Sequence, residues 1–369
     1  MSRKRTAKSI FVDIRKGCNS GQVQAREVEL PELGRNGLLI QVKACGLSIS
    51  KIESTALCQI LSNPNKNLGV GAGHEVAGTV VATGDDVTTL SKGDHVVGII
   101  PLDYGQSGCA DYVALQEFDV VIKPHGVSFV DAAGCIGDSV KAYTALHYLG
   151  KLSSGDTVLV LDGASSFGSI CIQLAHHWGA KVLTTSSSED EKLYLQNMEV
   201  ELAQIIELNE KNSSLKSAAM LETGNLGVDI VVDQGIAQYP QSSSIYDNRL
   251  QNSLNLLPSK HDVISCLAVG GRWITSNSNL QLDPPNSRLM YLRCASLGFL
   301  FEQAWMLSSA QQGRYQHILM DIMEKVATKT IRPNIHHTVS FDGALEVIKA
   351  LEEVRKLRID SACEVDFAY

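Results

Sequence analysis

None of the nine cysteines (Cys18, Cys45, Cys58, Cys109, Cys135, Cys171, Cys266, Cys294 and Cys363) forms a Cys-x-x-Cys pair. The odd count and irregular spacing exclude a disulfide frame and suit a reducing compartment with mostly buried thiols. No apolar run approaches the ~18 residues that suggest a membrane span. Long basic runs are also missing, and a net charge of -8 excludes a general binder of phosphate backbone. The start, Met1–Lys8, is basic but has no apolar stretch behind it. It is therefore no secretory signal and reads as a frayed, solvated tail. These absences leave a cytoplasmic protein without a membrane or nucleic-acid partner.

What is present is a chain of 369 residues, 44% of them hydrophobic, long enough for two domains with a core each. The first third reads as short strands between turns: Leu38–Ala44, Glu75–Ala82, His95–Ile100, Tyr112–Leu115 and Asp119–Ile122. That spacing predicts a compact barrel-like domain. Near Asp131 the pattern changes to helix, with Val140, Tyr143, Leu146 and Leu149 on one face of Ser139–Leu149. Strands then alternate with helices: Thr157–Leu161, Phe167–Trp178, Lys181–Thr185, Asp190–Met198, Gln204–Leu208, Leu215–Leu221 and Asp229–Asp233. Alternation of this kind implies a parallel sheet with crossover connections. Ile236–His261 is polar and unpatterned and reads as a surface insertion. A strand, Val263–Val269, is expected to run into Gly270-Gly271, with Arg272–Thr275 starting the next element. Helices over Gly313–Thr328 and Gly343–Val354, and a short last strand, close the chain.

Within the alternating part, Leu159–Ser188 has the form of a nucleotide-binding unit. Such a site needs a tight turn, close backbone approach to a pyrophosphate, and a helix N-terminus aimed at the anion. The turn runs Asp162-Gly-Ala-Ser165-Ser-Phe-Gly168 where G-x-G-x-x-G would be expected. Gly163, Ser165, Ser166, Phe167 and Gly168 are the residues that could meet a cofactor. Ser165 puts a Cβ at the closest approach, and Asp162 adds a negative charge. A bare structural turn is the alternative. The second strand ends in Ser186-Ser187-Ser188 with Lys192 following, rather than in the carboxylate that binds the ribose of NAD. Hydroxyls and a lysine suit a 2′-phosphate, which favours NADPH. Glu189, Asp190 and Glu191 oppose this unless they only serve the helix N-terminus.

Gly73-His-Glu-Val-Ala-Gly78, Gly93-Asp-His-Val-Val-Gly98, Ala132-Ala133, Lys141-Ala-Tyr143, the turn, Gly227-Val-Asp-Ile-Val-Val-Asp233 and Gly270-Gly271 follow one another in order. In that order they resemble the medium-chain dehydrogenase/reductase superfamily. The likeness covers about residue 35 to the end. It is strongest to the zinc-free, zeta-crystallin-like quinone oxidoreductases and their divergent quinone oxidoreductase-like branch. The resemblance implies a GroES-like β-barrel catalytic domain (1–133 and 315–369) and an inserted doubly wound Rossmann domain (134–314). It implies a homodimer or homotetramer, and puts Asn209, Gly235, Val269 and Gly270 along the cofactor path, with Lys141 and Tyr143 near the nicotinamide. Lys141 is either there or a plain surface lysine.

A catalytic zinc needs three protein ligands. His74 stands at one ligand position, but Ser48 and Gly137 occupy the other two, so no metal is expected. In such reductases the nicotinamide and the acceptor carry the chemistry, and the protein orients them and donates to an oxygen. Ser48 and Lys51 are the candidate donors. The expected activity is NADPH-dependent hydride transfer to a quinone or an activated carbonyl. The alternative is a nucleotide-binding or dimeric scaffold with little turnover.

Overall fold

The computed structural model describes residues 6–13, 22–29, 32–47, 70–208, 215–234, 257–335 and 337–360. They fall into two compact units: residues up to Gly137 with Gln303–Lys329 and those from Pro333 on, and Asp138–Glu302 with Thr330–Arg332.

The first unit is built from antiparallel strands: β1 (Thr6–Asp13), β2 (Gln22–Glu29), β3 (Gly37–Gly46), β4 (Val70–Gly71), β5 (Glu75–Thr83), β6 (His95–Ile99), β7 (Tyr112–Gln116) and β8 (Val120–Ile122). They form one sheet in the order β7-β3-β5-β6-β8 and another in the order β2-β1-β4. Leu38, Ile40, Val76, Val80, Val96 and Val113 fill the core of the larger sheet, as period-two patterning requires. The start of the chain differs from the expected solvated tail. Thr6–Lys8 belong to β1, which pairs along its full length with β2. Its Ile10 and Val12 pack with Ala72, Cys109, Ala344 and Ile348. Burial of that alternating face overrides the basic character of the terminus.

The second unit begins within α1 (Phe129–Tyr143), which widens into a π-helical turn over Thr144–Leu149. Next come β9 (Thr157–Val160), α2 (Ser166–His177), β10 (Lys181–Ser186), α3 (Glu189–Gln196), β11 (Gln204–Glu207), α4 (Leu215–Glu222) and β12 (Val228–Asp233). After them stand α5 (Lys260–Cys266), β13 (Leu267–Thr275), α6 (Pro284–Leu292) and β14 (Ser296–Phe299). The sheet is parallel, in the order β11-β10-β9-β12-β13-β14. Counted within the unit this is 3-2-1-4-5-6, the doubly wound order. Gly179, at φ +82°, ends α2 as a left-handed C′ residue. Helices α7 (Gln312–Ala327) and α8 (Phe341–Asp360) complete the described chain.

One element was expected in the wrong form. Val263–Val269 is not a strand: Lys260–Cys266 is helical, and the strand begins at Leu267 and runs through Gly270-Gly271 to Thr275. A reciprocal cap explains it. Ser259 Oγ accepts from Asp262 N–H at 3.2 Å, and the Asp262 carboxylate accepts from Ser259 N–H at 3.0 Å. That cap starts a helix in residues with strand propensity. The polar stretch before it lies outside the described residues except for its last few.

In the first unit, Asp119 is buried and accepts through one oxygen from Tyr104 Oη–H (2.9 Å) and Gln116 N–H (2.9 Å). Burial pushes its carboxyl up to about 6 from 3.8, although both bonds pull the other way. A raised acid stabilises the fold below its unfolded pKa, and that stability is lost as pH rises through about 6. Asp119→Asn keeps the accepting oxygen. Melts at about pH 4 and about pH 7, which bracket the window between 3.8 and about 6, are expected to show the wild type losing on the order of 2 kcal/mol more than the variant.

Candidate functional site

The strand-turn-helix from β9 to α2 shows what replaced the missing glycines. Asp162 takes the left-handed conformation itself, at φ +58°, which Asp tolerates better than most residues. Its N–H donates to Thr185 Oγ1 at 2.9 Å, and its side chain is exposed. Gly163 supplies the close approach: a Cβ there would lie 1.9 Å from Thr184 Oγ1. Gly168 supplies the second, since its Cβ would lie 2.2 Å from the Asp162 carbonyl oxygen. Ser165 is the N-cap of α2. Its hydroxyl accepts from Gly168 N–H at 3.0 Å and donates to the Asp162 carbonyl at 2.7 Å. Ser166 and Phe167 begin the helix, so their N–H groups have no intrahelical acceptor.

Beside this turn stands a chain of side chains that the sequence did not reveal. Gln234, next after β12, donates through Nε2 to Ser165 Oγ at 3.2 Å. Its Oε1 accepts from Lys141 Nζ at 3.2 Å, and that ammonium lies 4.8 Å from the centre of the Phe167 ring. Lys141 is thus part of the turn's surroundings and no plain surface lysine. The only available signal for Gln234 was its place directly after Asp233.

At the end of β10 two of the expected phosphate donors, Ser187 and Lys192, already have partners. Ser187 N–H donates to the Glu191 carboxylate at 2.6 Å, and Ser187 Oγ–H reaches both of its oxygens at 3.0 and 2.8 Å. Lys192 pairs with Glu207 at 2.8 Å and with Glu189 at 3.8 Å, and the bond to Glu207 raises its pKa above the usual lysine value. Ser186 is buried, and among the described residues its hydroxyl has no hydrogen-bond partner.

Three expected site residues are displaced. Val269 and Gly270 lie near the N-terminal end of β13, whereas the turn lies at the carboxyl end of the parallel strand β9. Gly270 is five residues from Thr275, roughly 16 Å along the strand. The mistake came from ending the strand at Val269. Tyr143 is buried, and its ring packs edge-on against Trp178 at 5.3 Å, with His147 at 5.2 Å. Trp178 caps the far end of α2, a helix of 12 residues, roughly 18 Å from the turn. Ser48, Lys51, Asn209 and Gly235 lie outside the described residues. Among the described residues no three His, Cys, Asp or Glu side chains converge as a metal site.

These residues suit a dinucleotide in part. The turn offers two glycine approaches and free helix N–H groups. Against this, the Ser165 cap holds one N–H, and carboxylates hold the strand-end donors.

Comparison with known proteins places the chain among oxidoreductases. Residues 34–154 match the alcohol dehydrogenase GroES-like domain. The chain is 40% identical over 330 residues to the mouse (Mus musculus) quinone oxidoreductase-like protein 1, covering 89% of this chain and 92% of that protein. It is 28% identical over 232 residues to the pig (Sus scrofa) quinone oxidoreductase, covering 63% of this chain and 64% of that protein. A mycobacterial quinone oxidoreductase has a similar fold, with a TM-score of 0.72 at 20% identity, over 95% of this chain and 97% of that one.

Proposed function

The chain belongs to the quinone oxidoreductase-like branch of the medium-chain dehydrogenase/reductase superfamily, and on that premise we propose that it reduces a quinone or an activated carbonyl with a nicotinamide dinucleotide, without a metal. The observation that carries the proposal is the turn from Asp162 to Gly168, with Gly163 and Gly168 kept where any side chain would collide. When bound, the reduced nicotinamide supplies the hydride. The chain's part is to hold pyrophosphate on the N–H groups of Ser166 and Phe167, with the Lys141 ammonium close by. NADPH is the proposed donor, served by the Ser186 hydroxyl, and by Ser187 and Lys192 once Glu191 and Glu207 release them. Ser48 and Lys51 are the proposed donors to the acceptor's oxygen. The absence of a metal is argued from Ser48 and Gly137 at two of the three ligand positions.

The test is oxidation of NADPH and NADH by the purified protein across a panel of quinones and enals. Turnover that survives chelation supports the proposal. Turnover that needs added zinc would reject the metal-free reading. The rival reading, a nucleotide-binding scaffold, is favoured by the Ser165 cap and the engaged strand-end donors. Cofactor binding without oxidation of NADPH or NADH by any acceptor would select it.

Ser165→Gly separates cap from cradle. Loss of the cap costs α2 only a few tenths of a kcal/mol when glycine replaces serine. The freed Gly168 N–H is expected to tighten dinucleotide binding by about 1 kcal/mol, read by titration calorimetry beside a thermal melt.

A homodimer or homotetramer is the proposed assembly. Strand β14 is a sheet edge, and Phe299, Tyr291, Leu292 and Val269 are exposed in the same unit. Exposed apolar surface on a sheet edge favours self-association. A cytoplasmic location is proposed on cysteine usage, and no disulfide joins the six cysteines among the described residues. No described helix is long and apolar enough to cross a membrane.

A further inference from the structure

The carboxylate that sequence patterning did not find at the end of β10 is delivered there by the next helix. Glu191 is the third residue of α3, and its N–H donates to the N-cap Ser188 Oγ at 3.2 Å. Its side chain turns back over the cap onto Ser187, taking the backbone N–H at 2.6 Å and the hydroxyl at 2.8 and 3.0 Å. These are three short bonds from charged oxygens to one residue's two donors. An N–H and a hydroxyl arranged this way form a seat for an anion, and the protein fills it with its own.

Ser186, one residue earlier and on the opposite face of β10, leaves a second donor open on the side of the turn. Ser186 is 2% exposed, and among the described residues its hydroxyl has no hydrogen-bond partner. Side chains alternate along a strand, so Ser186 shares a face of β10 with Thr184. That is the face on which the turn's Gly163 lies, because a Cβ on Gly163 would meet Thr184 Oγ1. A buried hydroxyl without a partner calls for explanation, and a ligand that completes its bonding is one. The charge around the seat is mostly negative: Glu189 and Asp190 precede Glu191, and Glu207 holds the nearby Lys192.

We propose that Glu191 sets the cofactor preference by occupying, with its carboxylate, the donors that a ribose 2′-phosphate would need. A ribose bearing a 2′-hydroxyl leaves the seat undisturbed and can donate to the same carboxylate. A 2′-phosphate must displace Glu191 and then sit among like charges. The wild type therefore favours NADPH by less than a strand end rich in hydroxyls would otherwise give. The inference rests on the dinucleotide reading of the turn, and it assigns to Glu191 the discrimination at the adenosine end.

The test is titration calorimetry of the full chain with adenosine 2′,5′-bisphosphate, adenosine 5′-monophosphate, NADPH and NADH. Glu191→Gln is expected to tighten the bisphosphate and NADPH about tenfold, the change that one like-charge contact is worth. The monophosphate and NADH should stay within about twofold. Glu191→Asp keeps the charge on a shorter side chain and should give an intermediate gain for the 2′-phosphorylated ligands only. Circular dichroism checks that both variants are folded. If Glu191→Gln binds the bisphosphate and NADPH no tighter than wild type, the inference is overturned while NADH binding still upholds the cofactor reading. Failure of all four ligands on every form would overturn that reading and this inference with it.

Discussion

Gly168→Ala is expected to lower stability by about 3 kcal/mol or more and to abolish dinucleotide binding. The new Cβ would lie 2.2 Å from the Asp162 carbonyl oxygen and 2.9 Å from Gly163 Cα. Both obstacles are backbone, so no rotamer change relieves them. Asp162 would have to move, and its carbonyl accepts from Ser165 N–H at 3.2 Å and Ser165 Oγ–H at 2.7 Å. The left-handed residue, the N-cap and the first turn of α2 would then be lost together. Urea melts read the stability, and NADPH titration reads the site. Gly163→Ala collides first with a side chain, Thr184 Oγ1 at 1.9 Å, and should be the milder of the two. An unchanged midpoint for Gly168→Ala would mean that the turn is built differently.

Asp233→Ala carries the second large effect. Asp233 is 0% exposed at the end of β12. Its carboxylate accepts from Trp273 Nε1–H and from Thr275 Oγ1–H, the latter at 2.9 Å. Both donors belong to the neighbouring strand β13, so this one carboxylate ties two central strands beside the turn. Alanine would leave two buried donors without a partner, at about 1–3 kcal/mol each, so a loss of roughly 2–6 kcal/mol is expected. Asp233→Asn should cost less, because its amide oxygen still accepts one of the bonds. Chemical denaturation measures both, and equal losses for the two variants would show that the carboxylate's bonds are not what holds the strands together.

The Val- and Leu-rich runs at Val158–Val160 and Val228–Val232 announced the parallel strands, because strands covered on both faces are continuously apolar. The amphipathic face of Phe167–Trp178 and the stop at Gly179 announced α2. Three places misled. At Ser259–Asp262 a capping box turned strand-forming residues into a helix, which moved the carboxyl end of β13 and carried Val269 and Gly270 away from the site. The start of β1 read as basic tail because its pairing partners, β2 and β4, lie elsewhere in the sequence. Neither α6 nor β14 was anticipated. The candidate site was legible only in its backbone: the sequence marks out a turn at Asp162–Gly168, but not how Asp162 and Ser165 fit into it. That Asp162 would take the left-handed position, and Ser165 become a cap, depends on the Thr184–Thr185 pair of a different strand. Gln234 gave no signal in spacing, and Glu191 stood out only as one of three charges after the strand end, since each acts only where the fold brings it.

The central claim is that a turn with fewer glycines than expected still cradles a dinucleotide. Titration calorimetry of the purified full chain with NADPH and NADH tests it most directly. One cofactor molecule bound per chain, with that binding lost in Gly168→Ala, is the predicted result. No heat and no thermal stabilisation at millimolar concentrations of either cofactor would contradict it, and would leave Asp162–Gly168 as a turn that serves the fold alone.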